Sequence, residues 1–170
     1  MTVLLEESGA RATLLETEAR RARRICFVCT GNTCRSPMAQ AVANHLAKTE
    51  GIALEAFSAG LYAKEGDPIT DHAVRALEEA GIASLPGREF HAHLAHTLTE
   101  EEAKGYDLMV GMTPTHVFEM TMRYPALASR IRCMPSPISD PFGGDLSCYR
   151  ACLAEILTGV RALFFPGETT

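Results

Sequence analysis

The 170-residue chain has no apolar run long enough to cross a bilayer, and its first residues lack the short hydrophobic core of a secretory leader. It has no basic excess either: 16 Lys and Arg stand against 21 Asp and Glu, for a net charge of -5. Without a basic face there is nothing to meet a phosphate backbone, so no nucleic acid and no membrane are expected as partners. Nor are the cysteines spread as in a secreted disulfide framework. Cys26, Cys29 and Cys34 crowd one segment, and Cys133, Cys148 and Cys152 lie far downstream. A reducing, cytoplasmic compartment is the expectation. At 46% hydrophobic and 22% charged, the chain can fill one core and is too short for two ordinary domains.

What is present is concentrated between Ile25 and Met38. Ile25–Val28 is apolar and suits a buried strand, and Ser36-Pro37 offers a hydroxyl N-cap with proline at the first helical position. The chain must reverse between them, and Gly31 and Asn32 tolerate the positive φ this requires. A short loop that ends on a helix N-terminus turns successive N–H groups inward and adds the positive end of the helix dipole, which makes a nest for a dianion. Arg35 adds a planar fork that matches two phosphoryl oxygens. The same field is expected to favour the thiolate of Cys29, a nucleophile aimed at bound phosphorus.

Residues 1–24 read as an extension, helical or frayed, ending in the basic run Arg20–Arg24; 25–165 reads as the folded domain and 166–170 as a tail. Within the domain, strand and helix patterns alternate. A helix from Ser36 to Lys48 carries Met38, Val42 and Leu46 on one face, and a strand spans Leu54–Ser58. A helix after Asp67-Pro68 turns Ile69, Ala73, Leu77 and Ala80 inward and ends at Gly81. Tyr106–Met112 reads as a strand, Thr115–Tyr124 as a helix and Ile131–Met134 as the fourth strand. Tyr149, Cys152, Leu153, Ile156, Val160 and Phe164 then form a helical stripe. Repeated βα units give an α/β fold with a central four-stranded parallel sheet and helices on both faces, flavodoxin-like or Rossmann-like. Ligands in such sheets bind beyond the carboxyl ends of the strands, where Cys29 falls.

The run Cys29-Thr30-Gly31-Asn32-Thr33-Cys34-Arg35-Ser36-Pro37-Met38, with Asp140-Pro141-Phe142 downstream, resembles the low-molecular-weight protein phosphatase family, and the likeness covers about Arg24 to Phe165. The resemblance implies that Cys29 attacks phosphorus to give a cysteinyl-phosphate that water hydrolyses. It further implies that Arg35 and the amides of Thr30, Gly31, Asn32, Thr33 and Cys34 clamp the equatorial oxygens, that Asn32 braces the loop and that Ser36 donates to the sulfur. Asp140 becomes the acid for the leaving group; its local alternative is a plain Asp-Pro turn. Thr33 and Phe142 look like the bacterial protein-arginine-phosphatase branch, since phosphotyrosine members tend to carry Ile or Leu and Asp-Pro-Tyr at these places. A cationic guanidinium leaving group suits a hydroxyl at Thr33 and an aromatic wall at Phe142. Thr33 also simply suits a tight loop. The partners implied are a phosphorylated protein or peptide and product phosphate, for a monomer or weak dimer. No metal or organic cofactor is implied, because the amides and Arg35 already supply positive charge.

Other readings remain. Cys34 could form a disulfide with Cys29 and protect it from overoxidation, or be a small loop residue. Cys26-x-x-Cys29 resembles a thioredoxin-type pair, and Cys26, Cys29, Cys34 and a histidine could bind zinc by spacing, which leaves Arg35 and Ser36 unexplained. His91, His93 and His96 form a cluster read as a solvated loop or a metal site, and family members often carry Arg in place of His96. His45, His72 and His116 read as surface or satisfied core histidines. Cys152 reads as core packing. An arsenate reductase shares the loop but resembles a relay needing further cysteines, and the chain has none between Cys34 and Cys133. A phospho-residue-binding module without turnover is the non-enzymatic alternative.

Overall fold

The computed structural model describes residues 21–167. β1 (Arg24–Cys29) is buried from Ile25 onward on both of its faces, as expected of an apolar run at the centre of a parallel sheet. β2 (Glu55–Gly60), β3 (Leu108–Gly111) and β4 (Ile131–Cys133) complete a four-stranded sheet in the order β2-β1-β3-β4. Every pairing is parallel, and Cys26 lies opposite Phe57 on one side and Met109 on the other. The strand order reverses direction at β1, so a crevice opens between the carboxyl ends of β1 and β3.

Helices cover both faces. α1 (Arg35–Glu50), α2 (Asp71–Glu79) and α5 (Leu146–Phe164) pack on the side of Ile25 and Phe27, whereas α4 (Pro114–Arg123) packs on the side of Cys26 and Val28. The α5 stripe of Tyr149, Cys152, Leu153, Ile156, Val160 and Phe164 is buried throughout. Phe164 sets its ring edge-on to Phe27 at 6.2 Å between centroids. Each such apolar side chain removed from water contributes about 1.5–3 kcal/mol. On the opposite face Met120, Tyr124 and Leu127 close over Cys26, Val28 and Met109.

The structure corrects several expectations. α1 begins at Arg35 with Cys34 as its N-cap residue, so the hydroxyl of Ser36 does not cap the helix and is free for another use. Cys26 and Cys29 face opposite sides of β1, because side chains alternate along a strand, so neither a thioredoxin-type pair nor a zinc site joins them. Ala80 is exposed past the end of α2, where Gly81 takes φ +73°. A short helix, α3 (Glu100–Lys104), has too few residues to give a periodic signal; the Thr99 side chain caps it by accepting from the Glu102 N–H. Ala22 is buried against the core, so packing begins ahead of Ile25. Residues 1–20 and 168–170, which hold most of the proposed extension and part of the tail, lie outside the described residues. No helix among the described residues is long and apolar enough to cross a membrane.

Candidate active site

The segment from Cys29 to Arg35 folds as a ring because its carbonyls are pulled outward. The oxygen of Cys29 accepts from the Leu61 N–H at 3.0 Å, that of Thr30 from the Tyr62 N–H at 2.9 Å and that of Thr33 from the Thr70 N–H at 3.0 Å. The His93 Nε2–H donates to the Asn32 oxygen at 2.8 Å. In a trans peptide the N–H points opposite to the C=O, so the amides of Thr30, Gly31, Thr33 and Cys34 turn the other way. These residues line a cavity of about 290 Å³ together with Cys29, Asn32 and Arg35. The shape of this ring is therefore set by the surrounding loops as much as by the segment itself.

Asn32 holds the ring's shape. It is fully buried at φ +57°, a conformation asparagine tolerates better than most residues. Its Nδ2 donates to Ser36 Oγ at 2.9 Å and to Ser58 Oγ at 3.0 Å, and its Oδ1 accepts from the His96 N–H at 3.2 Å. Ser58 passes its own proton to Gln40 Oε1 at 2.6 Å. Gly60 permits this close packing, since a Cβ there would lie 2.6 Å from the Thr30 oxygen.

Ser36 Oγ lies 2.9 Å from Cys29 Sγ and accepts from an Asn32 N–H, and its single proton has two acceptors in reach, the sulfur and, at 3.4 Å, the Ala59 oxygen. Arg35 is buried, with Nη1 donating to the Ile138 oxygen at 3.3 Å and Nη2 lying 3.5 Å from Asp140 Oδ2. Asp140 and Phe142 join the cavity lining from the segment after β4, so residues more than 100 positions apart in the chain meet at one mouth. Asp140 Oδ1 also accepts the Phe142 N–H at 3.1 Å, so the Asp-Pro turn and the position at the mouth coexist. Cys34 is buried, its sulfur 3.3 Å from the Tyr149 hydroxyl. Burial first, and the contact with Cys34 next, push Tyr149 up to about 12, which keeps that hydroxyl protonated. Cys29 and Cys34 are both free thiols.

Several participants escaped the sequence reading. Tyr62, Lys64 and Asp67 line the mouth from the segment after β2. The rule that loops beyond parallel strands converge could have nominated them. His93 and His96 are half-buried braces rather than solvated loop residues. Desolvation lowers the pKa of His93, whereas the hydrogen bond from His96 Nε2 to Glu102 at 2.7 Å raises that of His96. His116 is a satisfied buried histidine, as expected. Among the described residues no group of three or more His, Cys, Asp or Glu is placed to hold a metal ion.

The family model for low molecular weight phosphotyrosine protein phosphatase matches residues 24–169. A protein-arginine-phosphatase of Bacillus subtilis (strain 168) is 34% identical over 146 residues, covering 82% of this chain and 93% of that protein. One of Geobacillus stearothermophilus is 36% identical over 147 residues, covering 82% and 93%. A solved structure of YwlE arginine phosphatase, a Cys-to-Ser mutant with a phosphorylated active-site serine, superposes with a TM-score of 0.75 at 33% identity, covering 82% of this chain and 92% of that one. A nest of amides after β1, with a cysteine at its entrance, a buried arginine at its exit and a match that runs through the whole sheet, places this chain in the low-molecular-weight phosphotyrosine protein phosphatase family.

Proposed function

We propose that this chain hydrolyses phosphorylated protein side chains through a cysteinyl-phosphate at Cys29, with phosphoarginine the favoured substrate. The observation that carries the reading is the convergence of Cys29, Arg35 and Asp140 on one cavity, with Ser36 Oγ 2.9 Å from the sulfur. The loop amides and Arg35 hold the phosphoryl oxygens, and Cys29 Sγ forms a bond to phosphorus as the bond to the leaving nitrogen breaks. Asp140 gives the proton that the nitrogen needs, then takes one from the water that displaces sulfur and releases phosphate. Asp140 lies 3.5 Å from Arg35, so acid and phosphate clamp sit on the same side of the mouth.

Substrate preference rests on the walls. Thr33 and the 75% exposed ring of Phe142 both line the mouth. A hydroxyl and an aromatic face suit a polar, cationic guanidinium group better than a phenol. The B. subtilis and G. stearothermophilus relatives named for phosphoarginine support this choice. Phosphotyrosine is the second reading, favoured by the ring of Tyr62 in the same lining. We take the setting to be the cytoplasm and the partner to be a phosphorylated protein met by a monomer or weak dimer.

The test compares kcat/KM on phosphoarginine and phosphotyrosine peptides of one sequence. The parent is expected to favour phosphoarginine at least tenfold, and Thr33→Ile to reduce that ratio by about tenfold, the net scale of one hydrogen bond. An unchanged ratio in Thr33→Ile removes the substrate assignment. Absence of Cys29-dependent p-nitrophenyl phosphate turnover removes the catalytic one and leaves a phospho-residue-binding module.

A further inference from the structure

His116 is a buried imidazole that the steps above do not use. It stands at the third position of α4, where Thr113 caps the helix and Pro114 opens it. The approach of α4 to the sheet is tight enough that a Cβ on Gly111 would lie 2.9 Å from Val117 Cγ2 and 3.2 Å from His116 Cβ. This packing brings the ring to the catalytic loop: His116 Nε2 is 2.9 Å from Thr30 Oγ1, and Nδ1 is 3.0 Å from Thr113 Oγ1. Only 5% of the residue is exposed. Thr30 is the residue after the nucleophile, is itself exposed and lines the cavity. Its carbonyl is already fixed by the Tyr62 N–H, so the imidazole sets the one remaining freedom, the rotation of the side chain.

We propose that His116 is a positioning residue that locks the Thr30 hydroxyl toward the leaving-group side of the cavity, where it hydrogen-bonds the guanidinium nitrogens of a phosphoarginine substrate. The proposal rests on the phosphoarginine reading and extends it. Thr30 and Thr33 become hydroxyls set on either side of Gly31 and Asn32, and both meet the leaving group rather than the phosphate. A hydroxyl held in one rotamer by a buried ring presents its remaining lone pair in one direction, so N–H donors on the leaving group meet it without the cost of ordering it. Burial, and next the nearby Arg35 guanidinium, push His116 down to about 4, so the ring stays neutral and keeps one nitrogen that donates and one that accepts.

The experiment measures kcat/KM on a phosphoarginine peptide and on p-nitrophenyl phosphate for the parent, Thr30→Val, His116→Ala, His116→Gln and Thr30→Val/His116→Ala. His116→Ala is expected to lose about tenfold on phosphoarginine and less than threefold on the aryl phosphate, and Thr30→Val to lose about tenfold more on phosphoarginine than on the aryl phosphate. The double variant is expected to lose no more than either single one, since both remove the same interaction. His116→Gln, whose amide can take the place of Nε2, is expected to stay within threefold of the parent on both. Equal losses on the two substrates, or a double variant that falls by the product of the singles, overturns the proposal. If His116→Ala does not fold, Thr30→Val carries the test alone, and an unselective or absent loss there overturns it. A parent that does not prefer phosphoarginine overturns the substrate reading itself, whereas a parent that prefers it and variants that keep the preference overturn this proposal only.

Discussion

In the loop from Cys29 to Ser36, Asn32 and Ser36 are fully buried and Cys34 and Arg35 nearly so, whereas the side chain of Asp140 across the mouth is 57% exposed and Phe142 is 75% exposed. The first region is held by hydrogen bonds from β2, α2 and the segment around His93 and His96. The second is held through its backbone, by the Ile138 N–H on the Met112 oxygen, by Ser139 on Glu155 of α5 and by the Asp145 cap of that helix, which leaves the side chains of Asp140 and Phe142 outward. The difference matches the two tasks proposed for them. A group that must fit a phosphoryl dianion gains from being fixed before the substrate arrives. A group that delivers a proton to one atom and then takes one from water gains from an accessible position.

If that division is right, damage to the two regions produces different signatures. The largest effect is expected from Asp140→Asn, which lowers kcat on phosphoarginine peptides by about 10²–10³ while the melting temperature moves by less than about 2 °C, because the carboxyl is exposed and its contact with Arg35 is partly solvated. A large loss of stability in this variant would place Asp140 among the structural braces and break the comparison.

Asn32→Ala sharpens it from the other side. Removing the amide leaves Ser36 Oγ, Ser58 Oγ and the His96 N–H short of a partner and puts alanine at φ +57°. Together these cost about 3 kcal/mol, a fall of roughly 5–10 °C in melting temperature read by calorimetry. A fall no larger than that of Asp140→Asn would mean that the ring holds itself without its brace.

The smallest effect is in pH. His116 has its folded pKa lowered from 6.5 to about 4, so between those values the unfolded chain binds a proton that the folded chain does not. Its contribution to stability is therefore full above pH 6.5 and declines as pH falls toward 4. Melting curves of the parent and His116→Gln are expected to diverge over this window and to run parallel above it. Parallel curves throughout would mean that the ring is protonated in the folded protein.

Local signals in the chain fixed much of this in advance, and each has a physical reason. The apolar run Ile25–Val28, closed by a loop and a helix start, reads as a buried strand, and a cysteine, an arginine and Asp140-Pro141-Phe142 are residue types whose chemistry survives any detail of packing. The stripe on α5 was legible because nineteen residues give five turns of periodicity. What could not be read depends on contacts between distant segments. Ser36 suits an N-cap by composition, yet the helix starts earlier, which leaves the hydroxyl beside the Cys29 sulfur where the family resemblance put it. His93 and His96 sit in a polar stretch that looks solvated until the loop beyond β1 is laid against it. The contact of His116 with Thr30 spans 86 positions and leaves no local trace.

The most direct test of the central claim is rapid quenching of the parent during turnover of a phosphoarginine peptide, followed by mass spectrometry of the fragment that contains Cys29. The account predicts a phosphoryl group on Cys29 that forms and decays at the rate of turnover, with no turnover in Cys29→Ser. Phosphoryl on another residue, such as His116, or turnover that persists in Cys29→Ser, would contradict it.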